Sequence, residues 1–179
     1  MKQSGTKLVL GLACLAVAAG VASWSYRYGA THRATQFWGG EVAPLIARPS
    51  QAEFSALRLA DAAEPAADTI DLGRLYVAEH PREITDLRGM VHFRHALMSD
   101  GNYLWTEQPA AQNVAWRWCL RFYDEEAQAR IVLDAELATI GLVADAESGQ
   151  LKVVSCRPMA ETLQDYFGKL GLLPASTAQ

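Results

Sequence analysis

Two histidines and two arginines on one strand face are the residues whose types and spacing could do chemistry. His92 and His95 stand three apart, so a helix would carry both imidazoles on one face and could present them to a metal ion. A third ligand would have to come from elsewhere, such as His80 or a carboxylate. Either imidazole could also transfer a proton. The plainer reading is a solvated polar helix face, and two histidines without a full motif favour it. Arg117, Cys119, Arg121 and Tyr123 recur at every second position of another stretch. Guanidinium groups suit a carboxylate or a phosphate. The Cys119 thiol would be a nucleophile only if a histidine approached it. Pairing of these arginines with Asp134 and Glu136 across a sheet is the better-supported alternative, because acids are plentiful nearby.

The elements that must position these groups are strands and one helix. Trp116, Trp118, Leu120 and Phe122 alternate with Arg117, Cys119, Arg121 and Tyr123, which predicts a strand over 116–123 with one apolar and one polar face. Trp116 and Trp118 then belong to a core rather than to a ligand platform, and Trp105 is read the same way. Gln128–Glu136 alternates as well, with Ile131, Leu133 and Ala135 on one face. Asp124–Ala127 suits a short hairpin loop between the two. That register would set Arg117 opposite Asp134, a pairing of about 0.2–1 kcal/mol. Thr139–Ala144 and Gln150–Cys156 complete a meander around a turn at Asp145–Gly149, where Gly149 is free to take positive φ. Before the meander, Leu87, Met90, Val91, Leu97 and Met98 keep a helical period over Glu83–Asp100. Thr85 or Asp86 would cap that helix and Gly101 would end it. Arg94 falls in line with the stripe, either at its edge or paired with a carboxylate. After the meander, Pro158–Gly171 predicts a second helix with Met159, Leu163, Tyr166, Phe167 and Leu170 on one face.

Charge and hydropathy divide the chain unevenly. The 179 residues carry a net charge of −4. Residues 1–28 hold Lys2, Lys7 and Arg27 and no acid, and the remainder holds 13 basic and 20 acidic residues. An acidic body repels phosphate backbones and argues against a nucleic-acid partner. Leu8–Tyr28 as a helix would span about 31 Å, enough for a bilayer core. Trp24, Tyr26 and Tyr28 follow it as interfacial aromatics do. Gly20-Val21-Ala22 or Ala18-Ala19-Gly20 could instead serve a signal peptidase, and Cys14 a lipoprotein site, although the apolar run before it is short. The aromatic cluster favours a retained anchor, and Lys2 and Lys7 favour a cytoplasmic amino terminus with the carboxyl domain outside. In that compartment Cys119 and Cys156 are either a disulfide or two buried thiols.

Between anchor and meander, Gly29–Pro49 reads as a juxtamembrane linker, flexible at Trp38-Gly39-Gly40 and limited in helix by Pro44 and Pro49. Ser50–Glu53 fits a helix capping box, yet Phe54–Leu59 reads better as a strand. Asp61–Asp68 is an acidic loop, Gly73–Ala78 a short strand, Asn102–Thr106 an aromatic strand or turn, and Glu107–Asn113 a loop. Nucleophile-elbow, P-loop, dinucleotide-binding, C-x-x-C and H-E-x-x-H motifs are absent, so no cofactor and no complete metal site is implied.

The expected fold is α+β: a single transmembrane helix, then an antiparallel sheet of four to six strands with two packed helices. The units are an anchor over 1–28 (or a signal peptide), a linker over 29–49, a soluble domain over 50–173 and a tail over 174–179. The expected role is a membrane-tethered, non-enzymatic domain outside the cytoplasm that binds another envelope protein or assists an assembly. The alternative is a small envelope enzyme, or a ligand- or metal-binding domain, using His92, His95, Arg117 or Cys119. A third reading inverts the anchor.

Overall fold

A computed structural model of the chain describes residues 3–61, 69–143 and 151–174. The expected turn at Asp145–Gly149, most of the acidic loop after Asp61 and the tail beyond Pro174 lie outside the described residues. The fold is α+β: a long N-terminal apolar helix, then a seven-stranded antiparallel sheet curled into a half-barrel, with two further helices. Helix α1 runs Gln3–Ala47, β1 Gln51–Leu59, β2 Thr69–Asp71, β3 Leu75–Glu83, α2 Met90–Leu97, β4 Trp116–Tyr123, β5 Gln128–Asp134, β6 Thr139–Val143, β7 Lys152–Ser155 and α3 Arg157–Lys169. The strand order is β2-β3-β1-β4-β5-β6-β7, so β4 to β7 form the expected meander and β1 joins it to the β2–β3 hairpin.

The first surprise is α1. Its residues from Val9 make one helix long and apolar enough to cross a membrane, and the apolar window has no buried share. The helix does not stop at Tyr28. It continues through the stretch expected as a linker, where Ala34, Trp38, Ala43, Leu45 and Ile46 are buried. The apolar spacing of Ala34 and Trp38 is one helical turn, so both meet the same surface. The Asp100 carboxylate accepts the backbone N–H groups of Arg33 at 3.0 Å and Ala34 at 2.7 Å. Pro44 does not prevent the helix. The break falls at Gly39, with φ 81° and ψ 170°, a conformation open to almost nothing but glycine. It divides α1 into a long rod and a short segment that lies against the core.

One face of the sheet carries the main core. Phe54 of β1, Trp118, Leu120 and Phe122 of β4, and Ile131 and Leu133 of β5 meet Met90, Phe93 and Leu97 of α2 and Met159, Leu163 and Phe167 of α3. Phe167 joins both layers, with its ring 5.0 Å from Phe54 and 5.3 Å from Phe93. The second helix therefore forms as its stripe predicts, with Pro158 in its first turn. The first is shorter than expected. Glu79, Arg82 and Glu83 pair with β1, so no helix begins before Ile84, and Gly89 at φ 95° opens α2 without a side-chain cap. Neither Thr85 nor Asp86 caps it: the Thr85 hydroxyl accepts the Ala52 N–H at 2.9 Å. Val91, counted into the apolar stripe, is exposed. Arg94 makes no ion pair among the described residues and lies beside Ala47, Val91 and Met98, at the stripe's edge.

Register differs from expectation at one point. β4 pairs Trp116 with Asp134 but Trp118 with Leu133, so Arg117 is the extra residue of a β-bulge. Trp116 is thereby turned to the face opposite Trp118, where it packs with Leu57, Ile70, Leu72, Tyr76, Cys119 and Val132. The face expected to be polar thus holds a second, smaller core. Ala135, expected beside Leu133 on the apolar face, is exposed beyond the end of β5.

Two stability measurements in detergent follow. Trp38→Ala empties a fully buried site and is expected to cost about 3–5 kcal/mol in chemical denaturation. Gly39→Ala meets open space but must hold the strained φ, and a loss of about 1–3 kcal/mol is expected. Gly40→Ala, with neither constraint, should not destabilise.

Candidate functional site

The sequence-derived candidates lie apart. His92 and His95 are exposed on α2, over the main core, and His80 is exposed on β3 at φ 50°. Among the described residues no three histidines, cysteines or acids are grouped to hold a metal ion. Arg121 is satisfied within the sheet, but by a partner the linear pattern did not offer. Glu53 of β1 stands directly beside it and accepts its charge at 3.6 Å, while the Tyr123 hydroxyl donates to the same carboxylate at 2.9 Å. Burial and that carboxylate raise the Tyr123 pKa. Asp134 and Glu136 pair with neither arginine among the described residues. Asp134 instead accepts the N–H groups of Ala138 at 2.8 Å and Thr139 at 3.2 Å, holding the turn in which Leu137 takes φ 56°. The Asp124 carboxylate does the same in the β4–β5 hairpin, and the donated N–H groups of Glu126 and Ala127 hold its pKa below the usual range.

Both cysteines of the domain are free and buried. Cys119 belongs to the smaller core and Cys156 to the main one, so the sheet itself stands between them. Burial pushes the Cys119 thiol up to about 11, against the pull of Arg121 and Arg130. Burial, with the charge of Asp134, pushes Cys156 up to about 12. A thiol so protonated at neutral pH is a poor nucleophile. Arg117, His95 and Arg121 line three different clefts.

The cleft that contains Arg117 is the largest of these three, and linear reading missed most of it. It has a volume of about 460 Å³ and opens on the face of the sheet away from the helices. Leu57, Leu72, Tyr76 and Trp116 supply its buried wall. Leu59 stands exposed at its edge. Its polar groups are Arg74 from the β2–β3 turn, Gln112 and Asn113 from a single 3-10 turn, and Arg117 from the bulge. The two loops touch: a Cβ on Gly73 would lie 3.7 Å from Cβ of Gln112. The Arg117 guanidinium sits 5.7 Å from the centre of the Trp118 ring, within cation–π range. Neither Arg74 nor Arg117 forms an ion pair among the described residues. The indole N–H of Trp116 is buried without an acceptor, a rare state for a buried donor. Its ring also crosses to β6, where a Cβ on Gly141 would meet Trp116 Cη2 and Val132 Cγ2 at 3.0 Å. The alternation of β4 pointed to Arg117. Nothing local could have joined it to Arg74 and Gln112, which reach the cleft only through the β2–β3 hairpin and a loop.

The buried thiols give a test. Cys119 and Cys156 should resist a maleimide at pH 7 in the folded protein and react after denaturation. In the unfolded chain both ionise near the ordinary thiol value of 9.0. Their contribution to stability is thus intact below pH 9 and is lost as pH rises towards about 11 and 12. Melts in detergent should show that alkaline decline weakened in Cys119→Ala. Comparison with protein-family models, curated proteins and solved structures finds no match to this chain.

Proposed function

We propose that the protein is a membrane-tethered binding module whose domain lies outside the cytoplasm and contacts another envelope protein. The observation that carries this reading is the continuity of α1. Its exposed apolar part and its buried part, from Ala34 to Trp38, belong to one rod with no joint before Gly39. A free enzyme gains nothing from such a rod. A module that must meet a partner at a fixed height above a bilayer does. The Lys2 and Lys7 tail favours retention of the amino terminus in the cytoplasm. The scatter of His92, His95, Arg117 and Cys119 over separate surfaces supports binding over catalysis, since acid–base and nucleophilic chemistry require such groups within hydrogen-bond reach.

Membranes carrying the full chain provide the test. The protein should stay in the pellet after alkaline carbonate extraction. A Glu125→Cys variant, with the new thiol in the exposed β4–β5 loop, should react with an impermeant maleimide in intact cells. Chemical cross-linking before detergent extraction should then recover a defined membrane or envelope protein. Release by carbonate removes the tether, labelling only after lysis inverts the orientation, and recovery of the chain alone overturns the binding role.

A further inference from the structure

We infer that the cleft between the β2–β3 turn and the Ala111–Asn113 turn receives an extended peptide segment of the partner that carries a carboxylate beside a large apolar side chain. This rests on the binding-module reading and names the chemistry of its contact.

Three features of the cleft select that ligand. The first is charge. Beyond residue 28 acids outnumber bases, yet this cleft gathers Arg74 and Arg117, and neither has an ion-pair partner among the described residues. Arg74 is exposed, with its fork free to take an oxyanion. Arg117 lines the cleft, but its guanidinium leans to the Trp118 ring, which belongs to the other face, so it adds positive potential more than a second bidentate contact. The second is the wall. Leu57, Leu72, Tyr76 and Trp116 form an apolar surface beside those charges, and exposed Leu59 extends it. Such a surface suits an aliphatic or aromatic side chain. The third is the set of neutral polar groups. The side-chain amides of Gln112 and Asn113 are exposed at the cleft's edge and make no hydrogen bond among the described residues. A peptide backbone supplies both carbonyl and N–H groups to such a lining. An acyl chain supplies neither, and would leave these groups desolvated at about 1–3 kcal/mol each. The cleft therefore favours peptide over fatty acid, although both bring an anion and an apolar body. Its volume, about 460 Å³, accommodates two or three residues rather than a folded surface.

Binding of a fluorescein-labelled Ser-Glu-Leu-Glu-Phe peptide to the full chain in detergent, followed by anisotropy, tests the inference. Tighter binding than to Ser-Gln-Leu-Gln-Phe by about tenfold or more is expected, with a similar loss in Arg74→Ala and a smaller one in Arg117→Ala. The Trp116 indole N–H resonance, assigned through Trp116→Phe, should move on addition of the acidic peptide. Equal affinity for the two peptides, indifference to Arg74→Ala, or full displacement by dodecanoate at lower concentration than by unlabelled peptide would each overturn it. A photo-crosslinking residue at position 113 or at position 92, on opposite sides of the sheet, separates this failure from that of the module reading. Capture of the partner from 92 but not from 113 leaves the module and removes the cleft. Capture from neither removes both.

Discussion

The grip of the domain on α1 is the constraint on which the rest depends. The last carbonyls of α2 would be orphaned at the helix end. The Leu97 carbonyl is met twice, by the Trp38 indole N–H at 2.8 Å and by the Tyr103 hydroxyl at 2.7 Å. The Ala96 carbonyl is met by the Asn102 side chain at 2.8 Å. Trp38, Phe37, Tyr103 and Trp105 pack their rings around that junction, with centroids 4.8 to 6.4 Å apart. Burial raises the Tyr103 pKa well above the ordinary phenol value, so its hydroxyl stays a donor. The α2 terminus, the aromatic turn after it and the rod of α1 thus satisfy one another. Without the α2 terminus, the buried Trp38 indole N–H and Tyr103 hydroxyl would both lose their acceptor.

Much of this architecture was legible because strand alternation is a strong local signal. Phe122, Leu120 and Trp118 lie where their period places them, and the stripe of α3 is buried at Met159, Leu163 and Phe167. The bulge at Arg117 was not legible, since an alternating sequence is compatible with either register until a partner strand fixes it. The extent of α1 was hidden for a different reason. Trp38-Gly39-Gly40 reads as a flexible break, and a single glycine is indeed the break. Yet Trp38 immediately before it is the largest fully buried side chain of the helix, held by contacts from residues about sixty positions away. Gly89 was equally opaque. A Cβ there would lie 2.8 Å from the Tyr166 ring, and only the packing of α3 reveals that demand.

The candidate site was less legible than the fold. Residue type drew attention to histidines that stand in solvent and to a cysteine that is sealed within a core. The cleft is assembled from groups that are unremarkable singly: a turn arginine, two loop amides and an indole moved by a bulge. Its residues come from four separate parts of the chain, and topology alone brings them together. Strand β1 returns between β3 and β4, so the β2–β3 hairpin ends beside the entrance to β4.

Gly141 gives the cleft a dependence that none of its own residues discloses. The Trp116 indole, part of the cleft's wall, reaches across to β6, where a Cβ on Gly141 would stand 3.0 Å from its Cη2. A single methyl at that point, on a strand that supplies none of the lining residues, would oblige Trp116, Val132 or Leu151 to give by a few tenths of an ångström. The position of that wall is therefore set in part by a strand outside the recess.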